Sequence, residues 1–167
     1  MIPRRPGEAS RPRVEAGVTL IELISVTAIV LVLAGVAMPV ASTCVKRQKE
    51  MELRQALRQI REAIDNFQAD VLRVPSMRQT KMNAVNQDGY PEKIEWLYEG
   101  YDIGDAAKTK FKYLRRLPRD PITGKRAWAT RSSHDRPGAH FSDGINIFDV
   151  RSKSEAVALD GTKYADW

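Results

Sequence analysis

The sequence contains one cysteine, Cys44, among its 167 residues. A single thiol excludes an intrachain disulfide and a metal site of the Cys-x-x-Cys kind, so we expect Cys44 to pack as a small apolar residue. Histidine is also scarce, with only His134 and His140. The Walker phosphate loop, Gly-x-Ser-x-Gly and His-Glu-x-x-His are all missing from the sequence. We therefore do not expect an enzyme.

The length suits one domain and is too short for two ordinary ones. The formal net charge is +6, and the residues before the apolar run contribute part of this positive charge. Lysines and arginines are interspersed with acids, as in the stretch KRQKEMELRQALRQIREAID. This pattern is typical of a solvated helix face, so we expect no nucleic-acid partner.

From Leu23 to Val45 the chain has 23 residues without a charge, enough to cross a bilayer as a helix. A cleaved export signal would have a shorter apolar core, and Pro39 crowds its candidate cleavage site near Ala41. An ordinary signal anchor explains the length but not Glu22, because an ionisable group inside a membrane segment is costly and usually has a partner.

Gly17 and the residues after it resemble the class III signal of type IV pilins and type II secretion pseudopilins; the matching residues read GVTLIEL. In that family a prepilin peptidase cuts after the glycine and methylates the new terminal amine. The resemblance implies a leader at 1–17, cleavage between Gly17 and Val18, and N-methylation of Val18. Glu22 and Pro39 occupy the family's glutamate and proline positions. Val18 departs from the pattern, since the family prefers phenylalanine there.

In the family filament the glutamate faces the terminal amine of a neighbouring subunit, so the resemblance implies an assembly role for Glu22. A buried carboxylate persists when it is paired, and removing one partner leaves an expensive lone charge. Such a pair would set register and recruit the next subunit. Charges flank the apolar run on both sides, so the cytoplasmic placement of the leader follows from the resemblance alone.

After Val45 the apolar residues recur at helical spacing, which predicts an amphipathic helix whose stripe needs a cover. Neither glycine nor proline occurs from 40 to 74, so one helix is expected from about Thr19 to about Leu72, with a possible kink at Pro39. We assign 18–45 to a transmembrane and assembly segment, 46–72 to the amphipathic half and 73–167 to a globular head. The predicted stripe is Met51, Leu53, Ala56, Leu57, Ile60, Ala63, Ile64, Phe67 and Val71.

In the head, Pro91 and Gly100 bracket a short predicted helix. A second short helix is predicted over 105–117 with Asp105 as its N-cap, and 78–87 is predicted to be a surface loop. Alternating residues in RAWATRSS, GINIFDVRS and SEAVALDGTKYADW predict two or three antiparallel strands over the helix stripe. The expected fold class is α+β, a long N-terminal helix packed on a small antiparallel sheet.

The head also resembles the major pseudopilin of type II secretion, through YLRRLPRDPITGKRAW and its neighbours. The matching motif residues are Leu117, Pro118, Asp120, Pro121 and Gly124, while Ile122 and Arg126 depart from the pattern. Major pseudopilins bind calcium in an acidic C-terminal loop. Here the candidate acids Asp143, Asp149, Asp160 and Asp166 are spread out, so no cofactor is expected. Calcium at Asp160 is the alternative to a turn held by its side chain. His134 and His140, with nearby acids, could form a zinc site, but a surface loop is the better interpretation.

The resemblance implies a pseudopilin of a type II secretion system, held in a bacterial inner membrane with its head in the periplasm. Its implied partners are the prepilin peptidase, copies of itself, other pseudopilins, the platform protein and the assembly ATPase. A type IV pilin of a surface fibre and a single-pass anchored periplasmic domain stay open as alternatives.

Overall fold

The structure is a computed structural model that describes residues 17–74, 76–77, 86–103, 107–136, 138–139 and 141–167. The chain divides into two compact units, Met1–Ser42 and Thr43–Trp167. The class is α+β, as predicted. The described elements, in chain order, are α1 (Leu20–Arg73), α2 (Glu95–Glu99), β1 (Tyr101–Asp102), β2 (Lys110–Phe111), β3 (Ala129–Arg131), β4 (Asp149–Arg151) and the 3₁₀ helix η1 (Tyr164–Asp166).

The long helix is confirmed, since α1 spans Leu20–Arg73 with Pro39 inside it. In the second unit its apolar stripe is buried as predicted, apart from Met51, which is 61% exposed. Glu50 is buried instead. The reason is helical periodicity: the buried positions repeat at alternating steps of three and four from residue 50, and Met51 lies about 100° around the helix from Glu50. The buried repeat is Glu50, Leu53, Leu57, Ile60, Ile64, Phe67 and Val71.

Aromatic side chains of the head cover the C-terminal end of this stripe. Phe67 is fully buried, and its ring packs edge-on against Tyr101 and Tyr113 at centroid distances of 5.2 and 5.5 Å. Trp96 lies 4.9 Å from the Tyr101 ring. Burial of a side chain such as Phe67 contributes roughly 1.5–3 kcal/mol, so this cluster helps to hold the head against the C-terminal half of α1.

The predicted helix after Pro91 is confirmed as α2, which ends before Gly100. Gly100 has φ 101°, a conformation that only glycine adopts readily. A Cβ at this position would also lie 3.1 Å from Cγ of Lys112. The positive φ therefore favours glycine at the end of α2, and the missing side chain leaves room for Lys110 and Lys112.

The predicted helix over 105–117 is wrong in its described part. Lys110–Phe111 form β2, antiparallel to β1, with Asp102 opposite Lys110. The amides of Tyr113 and Leu114 then donate to the Leu97 carbonyl at 3.0 and 2.8 Å. Lysines and aromatic residues alternate here with a period of two, which suits an extended chain. The predicted cap Asp105 and residues 78–85 of the predicted loop lie outside the described residues.

The other strands form a second small sheet, with Thr130 of β3 opposite Val150 of β4. β4 occupies only the end of its predicted stretch, because the amide of Ile147 donates to the Pro91 carbonyl at 2.7 Å. The predicted C-terminal strand is reduced to one bridge between Val157 and Lys163. The described residues thus contain two two-stranded sheets.

Candidate functional site

The start of α1 places Glu22 in the first helical turn, next to the exposed residues 17–19. Oγ1 of Thr19 accepts a hydrogen bond from the Glu22 amide at 3.3 Å, and the Thr19 carbonyl accepts from the Leu23 amide at 3.1 Å. Threonine at the N-cap with glutamate three residues later is the sequence of a capping box. The negative charge is also favoured there by the helix dipole. The observed hydrogen bond uses the backbone amide of Glu22, so the local contact assigns Thr19 as the N-cap of α1, a role that the sequence does not by itself reveal.

The predicted cleavage site lies on exposed chain. Val18 is 69% exposed, and a Cβ built on Gly17 would meet no atom within 4 Å. Gly17 also lacks the positive φ that demands glycine. Neither packing nor backbone conformation in the described chain therefore requires a glycine at position 17. Residues 1–16 of the predicted leader lie outside the described residues.

The apolar part of α1 is long and apolar enough to cross a membrane by length and composition, and it is the one such helix among the described residues. None of its apolar window is buried within the protein. Its hydroxyls are satisfied inside the helix: Ser25 donates to the Ile21 carbonyl at 2.7 Å and Thr27 to the Leu23 carbonyl at 2.9 Å. The segment is therefore suited to an apolar environment, in which unsatisfied polar groups are costly.

Pro39 lies within this apolar unit. Because proline has no amide hydrogen, it cannot donate to the carbonyl of Gly35 one turn earlier. The next turn is reinforced by Ser42, whose Oγ donates to the Pro39 carbonyl at 2.9 Å. Cys44, further along α1, is exposed, so the prediction that it packs as a small apolar residue is wrong for the single chain.

The C-terminal residue Trp167 is bound to the rest of the second unit by hydrogen bonds. Nε of Arg61 lies 2.6 Å from Oδ1 of Asp149, and Nη2 of Arg61 donates to the Trp167 carbonyl at 3.0 Å. Nε1 of Trp167 donates to Oγ1 of Thr162 at 2.7 Å. The Arg54 guanidinium lies 4.4 Å from the Trp167 ring centroid, within the range of a cation–π contact.

Glu50 is a structural residue that the sequence analysis missed. Its Oε1 accepts from the Leu159 amide at 2.8 Å and from the Tyr164 hydroxyl at 2.9 Å. Burial, together with the hydrogen bond to Glu50, raises the pKa of Tyr164 to about 12. The heptad spacing of Glu50 from the buried residues of α1 was the signal that could have identified it.

Asp160 is held in a turn. Its Oδ1 accepts from the hydroxyl and amide of Thr162 at 2.6 and 2.9 Å, and these hydrogen bonds lower the pKa of the carboxyl. Asp149 is paired with Arg61, and Oδ1 of Asp143 accepts from a nearby backbone amide. Across the described residues, no three potential metal ligands come together. The turn role is observed, and calcium at Asp160 stays a prediction.

The histidine-containing loop is joined to the segment before α2. Nε2 of His134 lies 3.2 Å from Oδ2 of Asp88, and Ser133 donates to the same carboxylate oxygen at 2.5 Å. His134 is exposed, in agreement with the surface-loop interpretation. His140 lies outside the described residues.

Asp120 of the Leu-Pro-x-Asp-Pro motif is fully buried and organises a turn. Its Oδ1 accepts from the Ile122 amide at 2.8 Å, and its Oδ2 accepts from the Ser152 hydroxyl at 2.7 Å. Nε1 of Trp128 closes the other side by donating to the Pro118 carbonyl at 3.1 Å. Asp120 therefore links this turn to the chain after β4, and Pro118 links it to the residue before β3.

The basic residues are less evenly scattered than the sequence interpretation held. Residues 107–126 contain eight lysines and arginines and a single acid, the buried Asp120. All eight cations are exposed. The signal is visible in the sequence, where lysines and arginines of 107–126 have one acid among them, unlike those of α1.

No family model matches the chain, and no curated protein and no solved structure matches it. The likeness to pseudopilins therefore depends on the residues named above.

Proposed function

We propose that the chain is a pseudopilin subunit of a type II secretion system, cleaved after Gly17 and assembled into a periplasmic filament that drives protein secretion. One observation carries the proposal: Glu22 lies in the first turn of α1, ahead of an apolar window of which no part is buried inside the protein. Exposed apolar surface of this extent calls for a cover. Lipid would cover it in the stored subunit, and the helices of other copies would cover it in the filament.

The two environments make different demands on Glu22. In the membrane the carboxylate stays at the end of the apolar segment, where the helix dipole favours it. In the filament it would pair with the Val18 amine of a neighbouring copy. Apolar burial along 18–40 would supply affinity at roughly 25 cal/mol per Å², while the ion pair would select the register.

The proposal includes the partners that such a subunit needs. The prepilin peptidase would remove the leader and methylate Val18, and the platform protein and assembly ATPase would move the subunit from the membrane into the filament. The second unit, built around residues 46–72, would form the filament surface in the periplasm. We propose no catalytic activity for the chain itself.

The first experiment compares the secreted proteins of a deletion strain and its parent by mass spectrometry. Loss of specific exoproteins with surface fibres intact is expected. Loss of surface fibres with an unchanged set of exoproteins would instead identify a type IV pilin.

Processing is tested by the mass of the mature protein, which should begin at a methylated Val18. The informative variant is Gly17→Leu, because a side chain at Gly17 meets no described atom and should leave the fold intact. Retention of the leader in this variant would show that the peptidase recognises the glycine at position 17. A parent chain that keeps its leader would contradict the proposal.

The alternative of a single-pass anchored domain is favoured by the position of Glu22 in the first turn of α1, where the helix dipole stabilises its charge without a partner. In that case the glutamate serves only to start the helix, and no cleavage turns Val18 into a new N-terminus. The mature mass separates this alternative from both filament proposals.

A further inference from the structure

The exposed basic stretch at 107–126 includes a pocket of about 440 Å³. Three arginines, Arg116, Arg119 and Arg126, line it together with the amide side chain of Gln59. Leu117 and Pro118 complete the wall.

The pocket lining contains no carboxylate. Among the described residues, none of the three arginines forms an ion pair within 4 Å. The nearest acid in the sequence, Asp120, is buried and accepts hydrogen bonds from the Ile122 amide and the Ser152 hydroxyl. Like charges that converge on one cavity repel each other, so a bound anion would relieve this repulsion.

Two of the three arginines, Arg119 and Arg126, flank a hydrogen-bonded turn. The Asp120 amide donates to the Lys125 carbonyl at 2.9 Å, and the Gly124 amide donates to the Asp120 carbonyl at 2.8 Å. These bonds hold the backbone of Arg119 and Arg126 on the two sides of the turn. A site whose backbone is held before binding loses less conformational entropy when the ligand arrives.

We propose that this arginine pocket binds a phosphoryl oxyanion. The planar guanidinium group matches phosphate with two parallel hydrogen bonds. A carboxylate has two oxygens and is satisfied by one such fork, whereas phosphate offers oxygens to several arginines at once. Inorganic phosphate and a phospholipid headgroup share this chemistry. The proposal is independent of the role of the chain in secretion.

The test uses the full chain in a neutral detergent and calorimetric titration with inorganic phosphate at constant ionic strength. We expect Arg119→Gln and Arg126→Gln each to weaken phosphate binding by about ten- to hundredfold, since a hydrogen bond to a charged group is being removed. The matched control is Arg115→Gln, which removes the same charge from the same stretch but does not line the pocket. Thermal unfolding of each variant checks that the fold is retained.

A second titration uses a short-chain phosphatidylglycerol below its micelle concentration, with the corresponding phosphatidylcholine as control. Arginine-dependent binding of inorganic phosphate would assign the pocket to free phosphate, and arginine-dependent binding of phosphatidylglycerol alone would assign it to a lipid headgroup. The proposal is overturned if neither probe binds better than chloride, or if Arg115→Gln loses as much affinity as the pocket variants.

Discussion

The pairing that we propose for Glu22 between subunits differs in energy from the contact observed at the start of its own helix. Within the helix the observed contact is one hydrogen bond of 3.3 Å from the Glu22 amide to Thr19. Loss of an N-cap side chain costs about 1 kcal/mol, equivalent to roughly a fivefold change in an equilibrium. Loss of one partner of a buried ion pair costs about 3–5 kcal/mol, equivalent to more than about a hundredfold.

Two substitutions separate these roles. Glu22→Gln removes the charge but keeps a residue that the capping box accepts, while Thr19→Ala removes the cap and keeps the charge. We expect both variants to be cleaved after Gly17. Thr19→Ala should reduce filament yield by less than about tenfold, and Glu22→Gln by more than about a hundredfold.

The assay counts filaments by electron microscopy in cells that overproduce the secretion system, with the mature mass measured in parallel. Equal effects of the two substitutions would show that Glu22 acts through helix initiation. Normal filament yield in Glu22→Gln would refute the pairing argument altogether.

Three further predictions concern the second unit and are tested on the full chain in neutral detergent. Phe67→Ala should lower the free energy of unfolding by about 3–5 kcal/mol, because it leaves a cavity in the aromatic cluster; urea unfolding followed by tryptophan fluorescence measures it. Asp120→Ala should cost about 1–3 kcal/mol for each buried donor left unsatisfied, measured in the same way. Tyr164→Phe should remove the part of the pH dependence of the unfolding free energy that is due to Tyr164. The raised pKa of Tyr164 means that the stabilisation from its neutral phenol is complete below pH 10 and is lost as the pH rises through about 12.

Each of these predictions has its own control. Met51→Ala changes an exposed residue of the same helix and should leave the unfolding free energy nearly unchanged, so a cost similar to that of Phe67→Ala would contradict the packing argument. Asp120→Asn keeps one acceptor oxygen and should cost less than Asp120→Ala. Since the pKa of Tyr113 is also raised, the difference between parent and Tyr164→Phe isolates Tyr164; identical curves above pH 10 would contradict its assignment.

The sequence analysis was most accurate where a long periodic pattern governs local structure. α1 was predicted within one residue at each end, because an uninterrupted apolar and amphipathic pattern outweighs local alternatives. The segment around β2 was predicted wrongly, since KFKY suits either a helix or a strand. Its conformation depends on hydrogen bonds to Leu97 and on pairing with β1, which are separated from it in sequence.

The residues of the candidate sites were also predicted only where a local pattern marks them. Gly17, Val18 and Glu22 were identified by their spacing ahead of an apolar run, and the structure added the cap at Thr19. The arginine pocket was missed because Gln59 on α1 and Arg126 beyond the turn are brought together only by folding.

The amino-acid sequence alone determined the long helix, its division into an exposed apolar part and a buried stripe, and the α+β class. Helix formation and amphipathicity are local properties that period and composition express directly. Only the tertiary structure decided that Tyr164 would be the partner of Glu50, that Asp120 would bond to Ser152, and that three arginines would share a pocket. Those outcomes depend on contacts between residues far apart in the chain, which no local pattern encodes.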